Sequence, residues 1–221
     1  MILIFSKRRQ HINGHILFSN REDKISKIAG IFKYLLKGKI LDVGCAEKYL
    51  HKFLKENIIG IDFIGSPDVK VNLENGIPFK ERSFDVVLAL DVLEHIDKLH
   101  HVLKDIFRIS RNIVIVGFPN IYYWRWRVRF MMGRVISEKY RLPRDETMDR
   151  HRWIYTFDEL YKLIDKKSKE EGFEIFGLYY TFFKYSSLIG RIVSLIERRL
   201  SKFKPNLLPA GYIFLIKRCD S

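Results

Sequence analysis

Little in this chain could hold a fold together covalently. Its 221 residues include two cysteines, Cys45 and Cys219. They lie far apart and form no metal-spacing motif, so no disulfide framework and no metal set are expected, and a reduced cytoplasmic compartment is the default. No apolar run approaches the ~18 residues that a bilayer-spanning helix needs. The opening MILIFSKRRQ pairs a short apolar start with three cations and is too short for a secretory core or a span. Internal repeats and low-complexity linkers are absent as well. Acids are scarce, with 26 Asp+Glu against 40 Lys+Arg and a formal charge of +14.

What is present points to a packed domain. Hydrophobic residues make up 47% of the chain and aromatics 14%, which excludes disorder. The length suits a single α/β domain with one sizeable core. Charge is unevenly spread: residues 51–100 hold more acids than bases, and 101–150 reverse this. Such a basic surface favours anionic partners, although solubility alone accounts for it equally well.

SNRED at 19–23 offers a capping box from Ser19 to Glu22, opening a periodic stretch through Ile25, Ile28, Phe32 and Leu36. The pattern predicts a helical lead-in over 1–38. Strand-like KILDV, IIGID, VKV, FDVVLAL and NIVIVGF then alternate with helices near 47–56 and 98–110, which implies a doubly wound, Rossmann-like parallel sheet. An arginine- and aromatic-rich insertion at 120–150 interrupts the rhythm. After it come a helix opened by the capping box Thr156–Glu159, strand FEIFGLYY, an amphipathic basic helix within 184–205 and a last strand, AGYIFLIKR.

Ligands of open α/β sheets bind beyond the C-terminal strand ends. Four such ends carry suitable residues: Asp42 with Gly44 and Cys45; Asp62; Asn72 with Leu73; and ALDVLEHI at 89–96. A lone glycine at 44 lets backbone approach a ligand, and an acid twenty residues after Asp42 suits a ribose diol. A dinucleotide fold shares these features but requires G-x-G-x-x-G, whereas Ala46 and Lys48 stand where further glycines would be expected. An acid at the strand tip sits badly beside a pyrophosphate and suits an ammonium and a sulfonium.

These pieces, LDVGC, GIDF, NLENGIPFKERSFDVVLALDVLEHI and IVGFPN, resemble the class I S-adenosylmethionine-dependent methyltransferases. Within that superfamily, RISRNIVIVGFPNIYYWRWRVRFMMGR and RHRWIYTFDELYKL, over 108–164, resemble proteins of the MetW type. The resemblance implies a seven-stranded sheet with its last strand antiparallel, and S-adenosyl-L-methionine as cofactor. It places Asp42, Gly44, Cys45 and Ala46 at the methionine end, Asp62 at the ribose, Phe63, Asn72 and Leu73 at the adenine, and Leu90 and Asp91 beneath the methyl group. Ala46 is expected to be tolerated at negative φ, and Lys48 to point outward or reach the ligand carboxylate.

Methyl transfer needs a nucleophile held in line and sometimes a base. His95 and His151 are the candidate bases, each weighed against a structural role at a helix start or in a lid. Tyr122, Tyr123 and Tyr155 are candidates for a pocket wall. The insertion carries four arginines in YYWRWRVRFMMGR and no acid. Trp124, Val128 and Met131/Met132 fall on one helical face there, and Leu188, Ile192, Ile196, Leu200 and Phe203 on one face of the later helix. A lid packing these faces on the sheet is the favoured reading, and an anionic membrane surface the alternative. Nucleic acid is disfavoured, since no recognised binding module is evident. The expected acceptor is a small or lipid-linked molecule. The rival to an enzyme is a regulatory partner, since MetW-type proteins are associated with a homoserine acyltransferase.

Overall fold

The computed structural model describes residues 12–219, apart from positions 56, 145, 146 and 148. The apolar start at 1–5 lies outside the described residues. The elements run β1 (Ile12–Phe18), α1 (Arg21–Ile31), β2 (Lys39–Val43), α2 (Tyr49–Phe53), β3 (Asn57–Asp62), β4 (Val69–Lys70), β5 (Phe84–Leu90), α3 (Leu99–Ile109) and β6 (Ser110–Pro119). Then follow α4 (Trp124–Met131), α5 (Phe157–Glu170), β7 (Phe173–Phe183), α6 (Leu188–Leu200) and β8 (Gly211–Arg218).

Eight strands form one sheet in the order β1-β7-β8-β6-β5-β2-β3-β4. β8 runs antiparallel between β6 and β7, as the resemblance implies, while the other pairs are parallel. The eighth strand is a departure from the expected seven. Residues 12–18 were expected within a helical lead-in; instead β1 pairs in parallel with β7 from Ile12↔Leu178 to Phe18↔Phe183. Without it, β7 would present an unpaired edge to solvent. Helix α1 also starts differently from the expected Ser19–Glu22 box. Asn20 is its cap, its side chain accepting from the Asp23 N–H at 2.9 Å, while Asp23 in turn accepts from the Ser19 N–H. The Thr156–Glu159 capping box on α5 forms as read.

Both sheet faces are buried, which explains the unbroken apolar run of β5. Val87 and Ala89 face α3 and α5 through Val102, Ile106, Phe107 and Ile164. Val86, Leu88 and Leu90 face α1 and α2 through Ile25, Ile28, Phe32 and Leu50. The parallel register sets the tips of β2, β3 and β5 side by side, with Val43 opposite both Ile61 and Ala89.

Helix α6 inverts the expected packing. Its buried stripe is Gly190, Ser194 and Glu197, continued by Ser201, and its apolar residues face outward. Leu188 is 73% exposed, Ile192 51% and Ile196 50%, and on α4 Met131 is 84% exposed. The lid face expected to cover the sheet therefore points to solvent. Two contacts hold the inversion in place. A Cβ at Gly190 would lie 2.5 Å from Tyr185 Cβ, so only glycine lets the helix approach this closely. Glu197, buried inside the stripe, accepts from the Tyr123 hydroxyl at 2.7 Å and the Trp124 indole N–H at 2.6 Å, joining α6 to α4.

Candidate cofactor rim and acceptor cavity

The turn after β2 keeps the backbone of a glycine-rich loop with one glycine, Gly44. Gly44, Ala46 and Lys48 have φ of +75°, +46° and +52°. The expectation of negative φ at Ala46 is thus corrected: alternate residues of the turn are left-handed whatever occupies them. Neighbouring backbone and side chains enforce this shape. Gly44 N–H donates to the Ile61 carbonyl at 2.8 Å, and Ala46 N–H to Asp62 Oδ2 at 2.9 Å. Lys48 does not reach into the rim; its ammonium pairs with Asp68 Oδ1 at 2.5 Å. Asp68 also accepts from the Gly60 N–H at 2.7 Å, which ties Lys48 to the outside of β3.

Asp42 is buried near the tip of β2. Burial, opposed by Arg21 and reinforced by the carboxylates of Asp62 and Asp68, pushes its carboxyl up to about 7. Cys45 is buried too, and burial followed by Asp42 pushes its thiol up to about 12, so it is a packing group rather than a nucleophile. Asp62 accepts one backbone N–H on each oxygen, from Ala46 and from Ile64 at 3.1 Å. Each oxygen keeps further lone pairs for a diol. Phe63 is exposed beside the turn with the Lys70 ammonium 5.4 Å from its ring centroid. Asn72 Oδ1 accepts from the Glu74 N–H at 3.0 Å, leaving its amide N–H₂ group free to contact a base, and Leu73 is buried beneath it. Leu90 is buried at the tip of β5, and Asp91 follows it at φ +52°.

Helix α1 adds two cations that the sequence reading passed over. Lys24 donates to both oxygens of Asp91, at 2.8 and 2.6 Å, and is itself buried. Burial disfavours the Asp91 charge, but Lys24 more than offsets it and holds the carboxyl below its usual range. Arg21 reaches the Gly44 carbonyl at 3.4 Å. Lys24 shares the buried face of α1 with Ile25 and Ile28, a place in the apolar stripe that marks it for burial but does not name Asp91 as its partner.

Beyond Asp91 opens a cavity of about 410 Å³. Arg21, Lys24 and Asp91 line it on one side, and Trp126, Tyr140 and Asp149 of the insertion on another. Tyr155 forms part of its wall and donates to the Pro119 carbonyl at 3.0 Å; Tyr122 and Tyr123 are not among its lining residues. Both candidate bases meet there: the rings of His95 and His151 lie 4.7 Å apart, edge to face. Burial is the main cause lowering both, followed by Asp149 opposing it at His95 and by the neighbouring His95 at His151, which falls to about 4. Glu94, unremarked in the sequence although it directly precedes His95, is 1% exposed and joins the pair. Burial, then the charge of Asp91, pushes its carboxyl up to about 8.

The turn and Asp42 each yield a test by thermal and denaturant unfolding of the ligand-free chain. Left-handed Ala46 carries a steric cost that glycine lacks, so Ala46→Gly should stabilise by about 1 kcal/mol and Ala46→Val should destabilise. Asp42 has a folded-state value above its unfolded one, so its contribution to stability is complete below pH ~4 and is lost as pH rises toward 7. Asp42→Asn should therefore leave stability near wild type at pH 4 and raise it at pH 8, on the order of 2–4 kcal/mol. An equal effect at both pH values would remove the titration.

Comparison with known proteins places these features in context. The family described as Methionine biosynthesis protein MetW matches residues 60–169. A search of curated proteins finds no match. Among solved structures the chain is similar to a SAM-dependent methyltransferase from Archaeoglobus fulgidus, at 14% identity and TM-score 0.60 over 90% of this chain and 95% of that one. It is similar to one from Thermotoga maritima, at 17% identity and TM-score 0.56 over 88% and 89%. It is also similar to magnesium protoporphyrin IX methyltransferase from Synechocystis with bound SAH, at 14% identity and TM-score 0.53 over 90% and 82%. Residues 60–169 therefore carry the MetW pattern on the fold of the class I S-adenosylmethionine-dependent methyltransferases.

Proposed function

We propose that the chain is an S-adenosylmethionine-dependent methyltransferase, with its cofactor across the tips of β2, β3 and β5 and its acceptor in the adjoining cavity. The observation that carries this reading is Asp42, a buried carboxyl that burial keeps from ionising freely and that a cationic ligand would complement. The remaining residues fit the same molecule. Asp62 would hold the ribose diol, Phe63 and Leu73 the faces of the adenine, and Asn72 its edge. Gly44, Cys45 and Ala46 would border the methionine portion. When bound, the cofactor supplies a methyl group on a positively charged sulfur. The protein's own contribution is positional: Lys24 fixes Asp91 where the rim meets the cavity, and the cavity walls would hold an acceptor in line. His95 and His151 stand on the acceptor side.

A volume of about 410 Å³ suits a small molecule or the head of a larger one. The exposed apolar faces of α4 and α6 favour a lipid-linked acceptor presented at an anionic membrane surface. Arg191 and Arg199 flank the apolar residues of α6, and Trp126 at the start of α4 lines the cavity. The MetW match supports a different use of the same fold, a regulatory partner of a biosynthetic acyltransferase that binds the cofactor without turning it over.

Calorimetry with S-adenosylhomocysteine tests the rim. Asp62→Ala should weaken binding by about 1–3 kcal/mol through loss of charge-assisted hydrogen bonds; unchanged affinity would remove Asp62 from the ribose. Binding without methyl transfer to any component of a cell extract would favour the regulatory reading. For the membrane face, co-sedimentation with phosphatidylserine vesicles should fall about tenfold or more in Ile192→Ser/Ile196→Ser, since two buried aliphatic side chains are lost from the interface. Sedimentation should also weaken with salt. Equal sedimentation of variant and wild type would exclude α6 as the docking element.

A further inference from the structure

We propose that Glu94, His95 and His151 form a binding site for one divalent first-row transition cation, of the zinc, cobalt or manganese class, opening onto the cavity. One ligand atom from each of the three residues lies within 4.8 Å of the other two. His95 Nε2 and His151 Nε2 each stand 3.8 Å from Glu94 Oε1. That distance is too long for a hydrogen bond, so the three groups face one another without satisfying one another. It is close to the ~3.4 Å that separates ligands around a tetrahedral cation with bonds of ~2.0–2.1 Å. Small side-chain rotations close the difference.

Two independent features support a ligand at this point. Glu94 is 1% exposed, and its Oε2 has no hydrogen-bond partner. A buried carboxyl oxygen left unpaired is costly, and a cation would remove the cost. Outer groups also stand at the far nitrogens of both imidazoles. His151 Nδ1 is 3.2 Å from the Tyr140 hydroxyl, whereas His95 Nδ1, 3.5 Å from Asp149 Oδ1, lies within ion-pair reach without making a hydrogen bond. Asp149 is itself held by Lys139. His151 is thus oriented as ligating histidines commonly are, with the outer nitrogen engaged and the inner lone pair directed at the metal, and Asp149 stands close enough to His95 to orient it when the site is occupied.

The donor set selects the ion. Two imidazoles and one carboxylate suit borderline transition cations, whereas magnesium and calcium take oxygen ligands. Nearby cations do not occupy the place: Lys24 is bound to Asp91, Lys139 to Asp149, and Arg21 to the Gly44 carbonyl. Since all three ligands line the cavity, the remaining coordination positions face its interior. The assignment replaces the base role for His95 and His151, because a lone pair on a cation is not open to a proton. It also goes against the expectation of no metal, which rested on cysteine spacing and gave no weight to histidines over fifty residues apart.

The test uses the full chain, stripped with chelator and titrated with Co²⁺ in the absence of any cofactor or acceptor, so its result is independent of methyl transfer. Visible d–d absorption and elemental analysis after gel filtration should report one bound ion per chain. Glu94→Gln and His151→Asn should each weaken binding more than tenfold, and Asp149→Asn, acting through His95, about tenfold. His101→Asn, which alters a separate histidine near Asp105, should leave uptake unchanged. Far-ultraviolet circular dichroism checks each fold. Should Glu94→Gln unfold, His151→Asn at the cavity wall reads the same site. No ion retained by the wild type would overturn the proposal, as would uptake that survives both Glu94→Gln and His151→Asn.

Discussion

Carboxylates crowd the C-terminal edge of this sheet, and two cations from one helix, Arg21 and Lys24, oppose them. Asp42, Asp62, Asp91 and Glu94 all stand where parallel strands end, and burial disfavours the bare charge at Asp42 and Glu94. Arg21 and Lys24 reach down from α1, and Lys24 is spent on Asp91 alone. Asp42 and Glu94 are left undercompensated, one on each side of that ion pair. This imbalance gives the two halves of the site a common logic. A positively charged ligand would relieve it at Asp42, and a metal ion would relieve it at Glu94. The Lys24–Asp91 pair marks the border between the two.

The turn after β2 shows backbone geometry outlasting the residues that usually permit it. Asp62 and Asp68, both from the neighbouring strand and its extension, hold the loop from two sides. Ala46 and Lys48 therefore adopt left-handed conformations that they would not choose alone. Lys48 is drawn out of the rim by the same contacts, the outward of the two positions expected for it.

The insertion and α6 form a second organised surface. Glu197 anchors Tyr123 and Trp124 through buried hydrogen bonds, and the small residues above and below it let α6 lie close to the body of the protein. The consequence is an exterior on α6 that carries apolar residues together with cations. Hydrophobic periodicity identified the stripe on α6 but not its direction. An amphipathic pattern has two faces, and the buried one here is the polar stripe, because Glu197 finds donors inside and the leucines and isoleucines do not meet the sheet.

Much of the doubly wound core could be read from the sequence, since strands buried on both faces appear as unbroken apolar runs and helices as 3.6-residue repeats. The candidate rim residues were legible as well, because each lies at or just past the C-terminal end of a strand and its chemistry is local. Asp42, Gly44, Asp62 and Asp91 needed only their place at a strand end. Three things were decided by tertiary structure alone. β1 joins the sheet by pairing with a strand more than 150 residues later, a register that no local pattern encodes. Lys24 becomes part of the site because α1 packs over β5, which converts a helix-surface lysine into a buried partner. His151 reaches Glu94 and His95 only through the folding of the insertion between them, and groups so distant in sequence acquire shared chemistry from contact, not from spacing.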